Sequence, residues 1–129
     1  METPPESARD GRIVLIVEDE HMVRNMAADM FMAYGYHILE ASNAADALCV
    51  LEARGDIEAV FTDIEMPGPM NGLLLASEVR GRWPQIAVLI TSGRLRPSGD
   101  MMPVGADFGG KPYRSDDVIR RIEALASAA

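Results

Sequence analysis

The chain is poor in cysteine, in aromatic residues and in positive charge. Cys49 is the only cysteine among its 129 residues, so neither an intramolecular disulfide nor a zinc cluster holds it together. Its 12 basic residues face 20 acidic ones, for a formal charge of -8. A surface that neutralises phosphate backbones or anionic lipid needs clustered Lys and Arg, so neither a nucleic acid nor a membrane is an expected partner. No run approaches the roughly 18 apolar residues of a membrane span, and the opening METPPESARDGR lacks the hydrophobic stretch of a signal peptide. Repeats and low-complexity tracts are absent as well. The expectation is a soluble cytoplasmic protein.

What is present is apolar material, 48% of the residues. One domain accounts for this length, and it can bury roughly 68% of the surface its unfolded chain exposes. Residues 1–11 read as a disordered tip, and the domain is expected over 12–127.

Three short runs are apolar throughout: Ile13 to Val17, Ala59 to Thr62 and Ile86 to Thr91. Strands covered on both faces read this way, which marks a parallel sheet between helix layers. His37 to Ala41 and Asp107 to Lys111 are weaker strands, the last thinned by Gly109 and Gly110. Helical periods lie between them. Met22, Met26 and Met30, with Val23, Ala27, Phe31 and Tyr34, recur at three- and four-residue steps before Gly35, and the methionine stripe reads as core. Asn43 is placed to cap a second helix that ends before Gly55, with Cys49 a small apolar residue on it. Leu73 to Arg82 and Ser115 to Ala126 complete the set, the latter with Ser115 as N-cap and Arg120 and Arg121 on a solvated face. His21 reads as a helix start and His37 as a strand filler. The slot from Ser92 to Ala106 holds Gly93, Pro97, Gly99, Pro103 and Gly105, so the fourth helix is expected to be short or irregular. Strand and helix alternate five times, which with right-handed crossovers gives an open, doubly wound α/β sheet.

Ligands of such sheets bind beyond the carboxyl ends of the strands. Glu18, Asp19 and Glu20 follow the first strand, Asp63 and Glu65 the third, Thr91 and Ser92 the fourth, and Lys111 the fifth. Carboxylates brought together from adjacent strand ends repel unless a cation separates them. Magnesium suits an all-oxygen set that keeps waters and a substrate phosphate. An ammonium and a hydroxyl on the opposite side complete a cradle for phosphoryl oxygens, the set that phosphoryl transfer to a carboxylate needs.

Four motifs in this order carry a family resemblance: Glu18-Asp19 after IVLIV, FTDIEMPGPMNG around Asp63, ITSG at Thr91 and GGKPY at Lys111. Over about residues 12 to 127 the chain resembles the receiver domain of bacterial two-component response regulators, of the single-domain type. The resemblance implies a flavodoxin-like sheet of order 2-1-3-4-5. It implies that Asp63 is the phosphoacceptor for a sensor histidine kinase or phosphotransfer protein. Mg2+ would be held by Glu18, Asp19, Asp63 and the backbone carbonyl of Glu65. Thr91 and Lys111 would contact the phosphoryl group, with Thr91 and the Phe108 ring forming the switch, and Pro112 matches a position that is often cis. Such a protein accepts one phosphoryl group stoichiometrically and loses it slowly, so it is not a turnover enzyme. Output would pass to another protein, whose identity the sequence does not give. The chain departs from the family in an extra residue between Pro67 and Gly72, in the glycines before Lys111 and in the proline-rich fourth helix slot.

Two other functions compete. A pseudo-receiver would keep the fold and bind partners without phosphorylation, although an inert module has no need of clustered, repelling carboxylates. A phosphohydrolase of the haloacid-dehalogenase kind is suggested by Asp63-Ile64-Glu65, but an early Asp-x-Asp strand and a cap are missing. Gly105 to Lys111 has the spacing of a P-loop, yet Pro112 stands where that motif needs Ser or Thr for magnesium, which excludes nucleotide binding there.

Overall fold

A computed structural model describes residues 11–66, 68–93, 102–103 and 105–128, with nothing stated of the side chains of 127 and 128. The expected tip at 1–11 falls outside this set except for Gly11, as does most of the irregular fourth helix slot. The elements run β1 (Ile13–Val17), α1 (His21–Ala33), β2 (His37–Ala41), α2 (Ala44–Ala53), β3 (Ile57–Asp63), α3 (Gly72–Arg82), β4 (Ala87–Ser92), β5 (Ala106–Gly110) and α4 (Ser115–Ala128). All four strand pairings are parallel, in the order β2-β1-β3-β4-β5. None of the described helices is long and apolar enough to cross a membrane.

β1 is apolar at every position, and β3 and β4 are apolar through their middles, because both sheet faces are covered. Leu15, Val17, Val60, Val88 and Ile90 point to one face, where Ala47 and Leu51 of α2 and Leu75, Ala76 and Val79 of α3 close over them. Val14, Ile16, Phe61 and Leu89 point to the other, beneath Ala27 and Phe31 of α1 and Val118, Ile119 and Ile122 of α4. The two-residue period of the strand divides each run between two cores. Each fully buried aliphatic side chain contributes about 1.5–3 kcal/mol of transfer free energy.

Local chemistry fixes the helix ends. Asn43 and Asn71 cap α2 and α3 by accepting from the backbone N–H of Asp46 and Leu74, at 2.8 and 3.0 Å. At the end of α1, Gly35 has φ +91°. Its N–H bonds to Met32 O and that of Tyr36 to Phe31 O, the paired pattern that a left-handed glycine permits.

Three sequence expectations need correction. Met22 and Met26 are 77% and 69% exposed, not core. At about 100° per residue Met22 stands opposite Phe31 on the helix, and the neighbouring stripe of Ala27, Ala28 and Phe31 is the one that packs. Arg121 is half-buried and tied to the fold: it donates to Asp107, Asp117 and the Phe108 carbonyl, whereas Arg120 is exposed and pairs with Asp117. Ser115 is the first helical residue of α4 and not its cap, because the Arg114 carbonyl accepts the first helical bond, from Val118. Cys49 lies on α2 as expected, with its side chain exposed.

Candidate functional site

The site is assembled where four strands end. Glu18 directly follows β1, and its N–H bonds to Ala41 O at the end of β2, at 3.1 Å. Asp63 closes β3 and pairs in register with Thr91 of β4, which pairs in turn with Gly109 of β5. Ile64 N–H donates to Thr91 O at 2.9 Å, and Lys111 N–H to Ser92 O at 3.0 Å. These ladder bonds place the residues that follow each strand side by side. Glu18, Asp63, Thr91, Lys111 and Tyr113 all line one small cavity. Glu18 and Asp63 are each 6% exposed and Thr91 2%, while Asp19 lies exposed.

Glu18, Asp19 and Asp63 each bring a carboxylate oxygen to within 4.8 Å of the others. The Lys111 ammonium stands 3.4 Å from Glu18 Oε1 and 3.3 Å from Asp63 Oδ1. The Lys111–Pro112 peptide is cis. Glu65 lies two residues beyond Asp63 in the β3–α3 loop, where its carboxylate accepts a hydrogen bond from the Ser92 hydroxyl. Its side chain is therefore committed to β4. Phe108 is half-buried in β5 and packs on the core between the sheet and α2–α3. Its N–H is bound by Asp107 and its carbonyl by Arg121. His21 begins α1 with its side chain exposed.

The electrostatics show what the site is short of. Burial pushes the Asp63 carboxyl above the usual carboxylate range; Lys111 opposes the shift, and the charge of Glu65 adds to it. Burial likewise raises Glu18, opposed by the Glu20 N–H and reinforced by the charge of Asp63. Desolvation pulls the Lys111 ammonium down, but Asp63 and Glu18 together outweigh it, so it stays firmly charged. Among the described residues one ammonium thus stands against Glu18 and Asp63, two of the three clustered carboxylates. Among the described residues, Asp63 Oδ1 is buried with no well-directed hydrogen bond, and the cation beside it is the Lys111 ammonium. A buried carboxylate oxygen met only loosely by one ammonium, beside two further carboxylates, is a poor arrangement for folding and a good one for a hard cation. The donor set fits Mg2+, with all three carboxylates supplying oxygen and no nitrogen or sulfur ligand among them.

Three contributors escaped the sequence reading. Gly72 begins α3 against the end of β3, where a Cβ would lie 2.7 Å from the Asp63 carbonyl carbon and 2.9 Å from Ile64 Cα. Only glycine fits, and the FTDIEMPGPMNG motif ends on it. Tyr113 lines the cavity and stacks edge-on with Phe61 at 5.5 Å, continuing an aromatic chain through Phe31 to Tyr36. Arg24 reaches from α1 to the Glu18 carbonyl, a contact that no local sequence signal announces.

Comparison with known proteins agrees with this geometry. The family model of the response regulator receiver domain matches residues 14–123. The aerobic respiration control protein ArcA of Escherichia coli is 36% identical over 117 residues, which is 88% of this chain and 48% of ArcA. The chain therefore spans about half the length of that relative. Among solved structures, the receiver domain of the hybrid histidine kinase CckA superposes with a TM-score of 0.73 at 31% identity, covering 88% of this chain and 98% of that one. The response regulator TrrA of Thermotoga maritima, solved in complex with Mg(2+)-BeF, gives 0.75 at 25% identity, with the same two coverages. With the strand order, the strand-end carboxylates and the lysine in their places, the chain belongs to the response regulator receiver domain family.

Proposed function

We propose that the chain is a phosphoacceptor, taking a phosphoryl group onto Asp63 from the phosphohistidine of a sensor kinase or phosphotransfer protein. The observation that carries this reading is the position of Asp63: buried, with no well-directed hydrogen bond to Oδ1 among the described residues, facing Lys111 at 3.3 Å and grouped with Glu18 and Asp19. A carboxylate oxygen of Asp63 attacks phosphorus, the P–N bond breaks, and its electron pair returns to the donor imidazole. The product is an acyl phosphate on residue 63. Lys111 supplies fixed positive charge beside the reacting oxygen, and the Thr91 hydroxyl is placed to donate to a phosphoryl oxygen. Glu18, Asp19, Asp63 and the Glu65 carbonyl would hold Mg2+, which offsets the charge of the transferring phosphoryl oxygens when bound. The Mg(2+)-BeF held by TrrA supports that assignment. The protein acts once per phosphoryl group and then loses it slowly, a stoichiometric switch in the cytoplasm.

The exposed pair Met22 and Met26 begins three residues after Asp19. It offers a protein donor an apolar foothold on the helix that leaves the site, and so supports a protein rather than a metabolite as the physiological donor. Once Asp63 is modified, Thr91 is drawn to the phosphoryl group and Lys111 follows. The strain reaches β5, where Phe108 lies one residue before the Gly109 paired with Thr91. Output then goes to a protein partner that reads this end of the sheet.

The test is incubation with a small phosphodonor, with and without Mg2+, followed by intact mass. One added phosphoryl group is expected, lost on chelation and in Asp63→Asn. An unmodified mass with both the small donor and an active kinase would leave the non-phosphorylated interaction module as the reading, and continuous turnover of a phosphate ester would favour a hydrolase.

A further inference from the structure

Arg24 occupies the first turns of α1 with its side chain only 16% exposed. Its Nη1 donates to the Glu18 carbonyl at 2.9 Å and its Nε to Glu40 Oε1 at 2.8 Å. Glu40 stands on the edge strand β2, one residue before the Ala41 carbonyl that takes the Glu18 N–H. The turn from Glu18 to Glu20 is thus gripped by β2, by the Glu18 carboxylate on the Glu20 N–H at 3.1 Å, and by the Arg24 fork. A guanidinium held on the backbone of the turn that carries Glu18 and Asp19 opposes cation binding as a charge. Its geometry does the reverse, because it holds the peptide that carries Glu18 and Asp19.

We propose that Arg24, braced by Glu40, is the positioning residue of the divalent-cation site: it fixes the turn after β1 so that the Glu18 and Asp19 carboxylates face Asp63. The inference rests on the ion-binding part of the function proposed above. As a charge, Arg24 weakens cation binding; as a brace, it strengthens it. The two roles predict opposite signs for its removal.

The measurement is the Mg2+ dissociation constant of the full chain by titration calorimetry, with melting of each ion-free variant alongside. Arg24→Lys keeps the charge and the aliphatic stem but cannot present two N–H groups in a rigid fork. It is expected to weaken Mg2+ binding by about tenfold, the usual loss for a partner that orients a metal ligand. Arg24→Ala is expected to weaken it at least as much, although a positive charge has gone. Glu40→Gln retains an oxygen for Nε and is expected to stay within about twofold of wild type, and Arg54→Ala, remote from the site, to leave binding unchanged. Wild-type affinity in Arg24→Lys, or wild-type or tighter affinity in Arg24→Ala, overturns the proposal. Arg24→Lys decides it should Arg24→Ala fail to fold. No Mg2+ binding by the wild type refutes the ion site itself, a different outcome.

Discussion

The Lys111 ammonium reaches across the end of β4 to within 3.3 Å of the buried Asp63 Oδ1. Lys111 and a cation bound as proposed would draw on the same carboxylate. A charge this close to the cluster is worth on the order of 1 kcal/mol against a second cation at a partly exposed site. Lys111→Ala is expected to bind Mg2+ several-fold more tightly while accepting phosphoryl groups more slowly from a small donor, and to lose the response of the downstream partner. Calorimetry and a labelling time course check both signs.

Asp63 and Glu18 have raised carboxyl pKa values, chiefly through burial. An acid with a raised folded pKa adds stability in its protonated form, below its ordinary pKa, and that contribution disappears as pH rises through the folded value. At neutral pH the ionised cluster is a cost to the fold. Asp63→Asn is expected to melt a few degrees above the ion-free wild type near neutrality, and the gap is expected to close as pH falls through the carboxylate range. Mg2+ is expected to raise the melting temperature of the wild type at neutral pH and to have little effect on Asp63→Asn. Melts across pH, with and without ion, measure all three differences.

Gly72 and Gly81 lie on the same helix and differ in what surrounds them. A Cβ at Gly72 collides with the Asp63 backbone, whereas at Gly81 nothing lies within 4 Å. Gly72→Ala is expected to cost about 1–3 kcal/mol through overpacking and to slow labelling at Asp63. Gly81→Ala is expected to gain about 0.5–1 kcal/mol from helix propensity without touching the site. Denaturant melts and labelling rates on the pair separate the close approach from any general effect of glycine in α3.

Much of this site was legible in the sequence because strand exits are chemically marked. Apolar runs ending at Val17, Thr62 and Thr91, with the weaker strand ending at Lys111, put Glu18, Asp19, Asp63, Thr91 and Lys111 at one rim once the sheet is parallel. Helix starts were equally plain at Asn43, where the side chain closes the first turn. What stayed hidden depends on rotation and long-range contact. Met22 and Phe31 both fit a helical period, and only the packed sheet decides which stripe faces inward. Gly72 closed a motif without a role of its own, because its constraint comes from the backbone of β3. Arg121 read as a solvated face and Arg24 drew no reading at all, because among their acceptors are the Phe108 and Glu18 carbonyls, backbone groups to which sequence patterns are blind.

Met22 and Met26 present their side chains to solvent beside the acidic turn. If a protein donor docks there, Met22→Glu with Met26→Glu is expected to slow transfer from the kinase at least tenfold and to leave labelling by a small phosphodonor within twofold. Parallel time courses with the two donors supply the comparison, and equal slowing by both would point to damage at the site instead.

The most direct test of the account is the chemical location of the phosphoryl group. After labelling in Mg2+, borohydride reduction converts an acyl phosphate to the corresponding alcohol, so peptide mapping should find homoserine at position 63 and unmodified Glu18 and Asp19. Reduction products at residue 18 or 19, or none in a labelled protein, would contradict Asp63 as the acceptor.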